Sequence, residues 1–184
     1  MEFITTLWLP ILLSAVFVFI VSSVIHMFFS YHANDLRKVP DEERTLDAMR
    51  QLNIPPGNYS MPKATSMKEY RTEEFQAKMK KGPVIHLTVQ KPYTGMGKSL
   101  GQWFVYSIVV SIFSAYLGVH AVGPDAHYLD VFRFVGCAAF MGYSLALFQD
   151  PIWTSKNWSA TLRSAFDGLI YALVTAGTFG WLWV

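Results

Sequence analysis

"FITTLWLPILLSAVFVFIVSSVIHMFF", Phe3 to Phe29, contains no Asp, Glu, Lys or Arg. Wound as a helix it would extend roughly 40 Å, enough to cross about 30 Å of hydrocarbon. A secretory signal peptide has a shorter apolar core of about 7–15 residues, a basic flank ahead of it and a small-residue cleavage site behind. No basic residue precedes this run and no such site follows it, so the expectation is an uncleaved first transmembrane helix.

Three more runs have the same character: Leu100–Val122, Tyr128–Phe148 and Leu162–Val184. Between the first two runs lies nearly all the charge. Of 15 Lys and Arg, 12 fall between Arg37 and Lys98, and 8 of 13 Asp and Glu fall between Asp35 and Glu74. A soluble domain of 184 residues would spread its charge over the whole surface. The expected fold class is therefore an all-α integral membrane protein: four transmembrane helices with a small cytoplasmic α+β loop between helices 1 and 2. The expected division is a first helix over 1–29, the loop over 30–99 and a three-helix bundle over 100–184, with spans 100–122, 128–148 and 162–184.

Orientation follows from the basic residues, which accumulate on the cytoplasmic side. The long loop is rich in them, "GPDAHYLD" after the second span carries only acids, and "DPIWTSKNWSATLR" after the third carries Lys156 and Arg163. Both termini are expected outside and the long loop inside a bacterial-type inner (plasma) membrane. Trp8, Trp181 and Trp183 suit the outer interface, and Trp103, Trp153 and Trp158 the inner one. The sequons Asn58-Tyr59-Ser60 and Asn157-Trp158-Ser159 then face the cytoplasm and read as chance matches. Lone Cys137 has no intrachain partner for a disulfide.

Within the loop, "PDEERTLDAMRQL" reads as a short helix with acids in its first turn. "IPPGNYSMP" reads as a turn-rich breaker. "TEEFQAKMKKG" is a second helix capped by Thr72 and stopped by Gly82, and "PVIHLTVQK" alternates like a strand. So few apolar residues could hardly build a separate core, and the expected neighbours are the protein's own helices, lipid headgroups or another subunit.

"PYTGMGKS", Pro92 to Ser99, approaches a phosphate-binding loop but has Pro92 where the pattern needs Gly, and a membrane span follows it. Nucleotide binding is not expected, nor is nucleic acid. Gly95 and Gly97 suit a hinge where the chain enters the membrane, with Lys98 snorkelling to the headgroups. In a weaker functional form, Gly97, Lys98 and Ser99 at the helix start would hold a lipid phosphate.

At the inner end of the first span, His26 and His32 are candidate metal or haem ligands. Met27 beside His26 points about 100° away, so a local site needs His32 or His86 to fold back. The competing reading is a polar stripe of Ser22, His26 and Ser30 bonded to a neighbouring helix. His120 and His127 read as surface residues around a Gly-Pro turn, Asp130 and Arg133 as a self-neutralising interface pair, and Tyr106, Tyr116 and Tyr143 as packing residues that could line a groove.

In the fourth span Ser164, Gly168, Ala172, Ala176 and Gly180 recur every four residues. Small side chains at that spacing let another backbone approach closely. Ser107, Ser111, Ser114 or Ala115, and Gly118 form a weaker line on the second span, and Ala138, Gly142 and Ala146 one on the third. Asp167 sits beside the fourth-span line with Tyr171, a candidate proton or ion site by default for a membrane acid. It lies one turn from Arg163, near the inner surface, where the helix dipole also favours it as a structural acid.

No complete catalytic set is present, and the expectation is a non-catalytic accessory or structural subunit of a larger membrane complex. Electron-transport or photosynthetic assemblies are a context by analogy alone. Other integral membrane subunits and membrane lipids are the expected partners. No cofactor is expected beyond a bound phospholipid. The rival readings are a small oligomeric transporter or channel using Asp167 and a haem- or metal-binding redox protein using His26.

Overall fold

A computed structural model describes residues 2–92 and 95–184. It is mostly helical and divides into two compact units: residues 1–37 with 96–184, and residues 38–95. Tyr93 and Thr94, inside the glycine-rich "PYTGMGKS" stretch, lie outside the described residues.

The helical unit begins with α1 (Glu2–Thr6) and α2 (Trp8–Phe28), followed by α6 (Gly97–Ala121), α7 (Tyr128–Tyr143), α8 (Gln149–Thr154) and α9 (Trp158–Trp181). Among the described residues three helical segments are long and apolar enough to cross a membrane: Trp8–Phe28, Gly97–Ala121 and Tyr128–Thr154. The coarse expectation of a mostly helical chain with membrane-length apolar helices and a small sheet therefore holds. α9 is not among the three. At 24 residues it is long enough, but its hydroxyls, glycines, Arg163 and Asp167 dilute its hydropathy.

That dilution has a packing reason. α2 packs against α6, α6 against α7, α7 against α9, and α9 against α2, so these helices close into a ring. α9 buries Thr161, Ala165, Gly168, Ala172, Thr175 and Ala176, small side chains that bring its backbone close to its neighbours. A Cβ on Gly168 would run into Ser144 and the Tyr143 carbonyl, and one on Gly180 would meet the Tyr128 ring at 2.7 Å. Ala176 lies 3.0 Å from where a Cβ on Gly136 would stand. Much of the fourth-span line is thus occupied by α7 of the same chain. Ser164 instead lines the groove described below. Thr175 and Thr178 donate to the carbonyls of Tyr171 and Val174 in their own helix, at 2.9 and 2.8 Å.

On α6, Ser111 meets Ser14 of α2 across the interface, Oγ to Oγ at 2.9 Å. Ser107 is buried and donates to Trp103 O at 3.1 Å. Gly118 admits Val135 and the Trp183 ring, each about 3.0 Å from a Cβ there.

The third apolar run is not one continuous α-helix. α7 ends at Tyr143, and a 3-10 turn over Leu145–Phe148 leads into α8. Ser144, at the break, donates to the Ala165 carbonyl of α9 at 3.1 Å. The close approach that Gly168 allows draws the chain onto α9 at this point.

The second unit contains α3 (Glu42–Leu52), β1 (Gly57–Met61), α4 (Met67–Tyr70), α5 (Glu73–Lys81) and β2 (Ile85–Val89). The Thr72 side chain caps α5 by accepting from Phe75 N, and Gly82 ends it at a φ of +61°. "GNYSM", read from sequence as a breaker, is a strand: it pairs antiparallel with β2, Gly57 opposite Val89 and Met61 opposite Ile85. A partner strand overrides poor local propensity, and Thr88 adds a 3.0 Å bond to Asn58.

Candidate functional site

The C-terminal end of α2, the N-terminal ends of α6 and α9 and the C-terminal end of α7 meet at one end of the helical unit. Asp167 lies there, only 3 % exposed. α9 carries it one turn beyond Arg163, and its carboxylate does not face Arg163 but two residues just after α2. Tyr31 donates its hydroxyl to Asp167 Oδ1, and His32 Nε2 lies 2.6 Å from Oδ2. The other His32 nitrogen, Nδ1, lies 2.6 Å from Asp35 Oδ2. Arg163 closes the chain by donating to Asp35 Oδ1 from Nε at 2.8 Å and from Nη2 at 2.5 Å.

Residues 30–37, expected to belong to the loop, are thus part of the helical unit. The turn after α2 folds back because Tyr31, His32 and Asp35 have partners on α9. It also lays the His32 ring on that of His26, centroids 5.0 Å apart and 28° from parallel. His86 sits on β2, opposite Ser60, in the other unit.

Charge reinforces the arrangement. Burial works against a charged His32, yet the hydrogen bonds it donates to Asp35 and Asp167, and their charges, raise its pKa above the usual imidazole range. Burial likewise opposes charge on Asp35, and its bonds to His32 and Arg163 outweigh that and lower its pKa. Burial, then the bond to Asp167, pushes the Tyr31 phenol well above its ordinary value, so it stays a donor. With His32 as imidazolium, two carboxylates face two cations and the cluster is neutral.

Beside the cluster runs a groove of about 760 Å³, lined by Phe19, Ser22, His26, Met27, Ser99, Leu100, Trp103, Tyr143, Leu147, Ser164, Asp167 and Tyr171. Its walls are mostly apolar with a few convergent polar groups, the composition of small-ligand sites. Trp103 is fixed at 2.9 Å by its indole N–H on Ser22 Oγ. Tyr143 is 6 % exposed, and its buried hydroxyl sits beside those of Ser107 and Thr175.

No protein-family model, curated protein or solved structure matches this chain.

Of the residues singled out in the sequence, His26, Asp167, Tyr171, Ser99 and Tyr143 line this one groove, and His32 joins it through Asp167. Gly97 and Lys98 open α6 at the same end. His120 bonds its own helix at Tyr116 O, 2.7 Å, and His127 caps α7. Asp130 and Arg133 pair at 3.1 Å. Sequence reasoning missed Tyr31 and Asp35. The available signal was "SYHANDLR", where His32 and Asp35 stand three apart in a stretch otherwise lacking structure signals.

Proposed function

We propose that this chain is a four-span bacterial-type inner-membrane protein that seats a phospholipid in the groove at its cytoplasmic end, as a non-catalytic accessory subunit of a larger complex. The observation that carries the lipid reading is a groove of about 760 Å³ with mostly apolar walls, at the end of the helical unit where α6 begins. A phospholipid offers acyl chains to cover Phe19, Leu100 and Trp103. Ser99 lies at the start of α6, where unpaired N–H groups and the helix dipole favour a phosphate. It is one helical turn, roughly 6 Å, from Trp103, close to the separation of a headgroup phosphate from its glycerol esters.

Four spans are supported by the place of α9 in the ring, between α7 and α2, each within a membrane-length segment. Orientation rests on the basic residues of the 38–95 unit and of the turn before α9. The accessory role rests on the apolar outer faces of α2 and α6, where Ile20, Val24, Phe28, Val105, Val109 and Phe113 are exposed to lipid or to another subunit. The fourth-span line of small residues gives that role little help, because α7 covers Gly168, Ala176 and Gly180.

The test is phosphorus and lipid mass analysis of the full chain purified in mild detergent. About one tightly held phospholipid per chain is expected, reduced several-fold by Ser23→Trp, which fills the groove that Ser23 helps to line. Equal lipid content in the two proteins would sink the proposal. A second reading, ion or proton handling, has the buried Asp167 at the groove end in its favour. It requires Asp167→Asn to abolish proton-coupled flux in proteoliposomes while leaving lipid retention intact.

A further inference from the structure

The geometry points to a divalent transition-metal site formed by His26, His32 and Asp167, with Asp35 and Tyr31 as its outer shell. The candidate ligand atoms of the three residues all lie within 4.8 Å of one another. An ion bound at about 2.0–2.2 Å to each of two ligands sets those ligands roughly 3 Å apart. The His32–Asp167 edge is already that short, and only the exposed His26 ring has to swing inward.

What separates this cluster from an ordinary ion pair is how its outer atoms are held. Metal-bound histidines commonly donate their second nitrogen to a carboxylate, which fixes tautomer and ring orientation. Here Asp35 holds His32 Nδ1 at 2.6 Å, and Arg163 in turn holds Asp35. Tyr31 occupies Asp167 Oδ1 and leaves Oδ2 facing His32. Each of these two ligands thus has one atom pinned from outside and one facing the other ligand, with His26 alongside.

Binding replaces a proton with the ion. His32 Nε2 gives up its proton to solvent, Asp167 exchanges that hydrogen bond for coordination, and His26 contributes a neutral nitrogen. Two imidazoles and a carboxylate suit zinc, iron(II), cobalt(II) or nickel(II) rather than magnesium or calcium. Haem does not fit the pair: axial histidines stand on opposite sides of a porphyrin, whereas these rings stack directly on each other. The ion's remaining positions would face the groove, which His26 and Asp167 both line. The inference does not depend on the lipid, since no ligand atom belongs to one.

The test uses the full chain in mild detergent, stripped with EDTA, desalted and titrated with Co2+. The expected result is one Co2+ per chain with visible d–d bands, displaced by Zn2+. His26→Ala, at an exposed ring, should weaken binding at least 10-fold with unchanged circular dichroism. Asp35→Asn should weaken it about 10–100-fold, the usual effect of losing an outer-shell partner. Wild type that takes up no Co2+, or His26→Ala that binds it equally well, would overturn the site and leave the cluster a proton-held ion pair. Lipid content measured on the same samples keeps this outcome separate from failure of the lipid reading.

Discussion

At one end of the helical unit Leu7, Ile11, Ala115, Val131, Val135 and Phe179 pack against one another without a charge among them. At the other, Asp167, His32, Asp35, Arg163 and Tyr31 form a chain of hydrogen bonds beside a groove. Both ends are built from the same helices. The apolar end is held chiefly by shape: Gly118 and Gly180 let large rings close on the backbone, and Trp183 adds one bond to the Gly123 carbonyl at 3.0 Å. The polar end is held by direction, because each carboxylate oxygen has a designated donor. Dispersion tolerates small shifts but leaves no room for a ligand, whereas a directional network can border an open groove without collapsing into it.

The comparison can be broken most sharply at its two anchors. Phe179→Ala should cost about 3–5 kcal/mol by opening a cavity at the apolar end, read as a fall in melting temperature, with Co2+ and lipid binding unchanged in what remains folded. A protein of wild-type stability would show that shape does not hold this end. Asp167→Ala should cost about 3–5 kcal/mol, the range for removing one partner of a buried pair, and should abolish Co2+ binding as well. A cost under about 1 kcal/mol, the scale of an exposed ion pair, would mean that the cluster is a surface feature.

Smaller changes sharpen the contrast. Gly180→Ala should cost about 1–3 kcal/mol by overpacking against Tyr128. Ser111→Ala should cost only about 0.6 kcal/mol, the mean for an interhelical hydrogen bond in a membrane. Tyr143→Phe should change stability by less than about 1 kcal/mol, since its hydroxyl sits beside those of Ser107 and Thr175, which already donate to carbonyls of their own helices. A larger loss would show that the hydroxyl ties α7 to α6 and α9.

Much of the frame was legible in the residues. Apolar runs over 3–29, 100–122 and 128–148 overlap the helical segments that are long enough for a membrane, because hydropathy and length are local properties. Thr72 and Gly82 marked the ends of α5 for the same reason: a cap acts within one turn. β1 was not legible, since a strand of Gly, Asn and Ser exists only through β2. Asp167 stood out from the start as a lone carboxylate in an apolar stretch, but its partners were read as Arg163 and the helix dipole. Tyr31 and His32 lie 136 and 135 residues away from it in the chain, and nothing local ties them to it.

By itself the sequence determined that the chain is mostly helical, with helices long and apolar enough to cross a membrane and a charged unit between the first two, because length and hydropathy belong to each segment alone. It also determined which side chains were candidates: His26, His32, Asp167, Tyr143 and Ser99 are polar residues in or beside spans that otherwise exclude them. Only the tertiary structure decided that they gather at one groove, that the turn after α2 folds back to reach Asp167, and that α9's small residues close largely on α7. Hydropathy records how each segment meets its solvent. Hydrogen-bond direction and close packing depend on which segments become neighbours, and that is settled when the ring of helices closes.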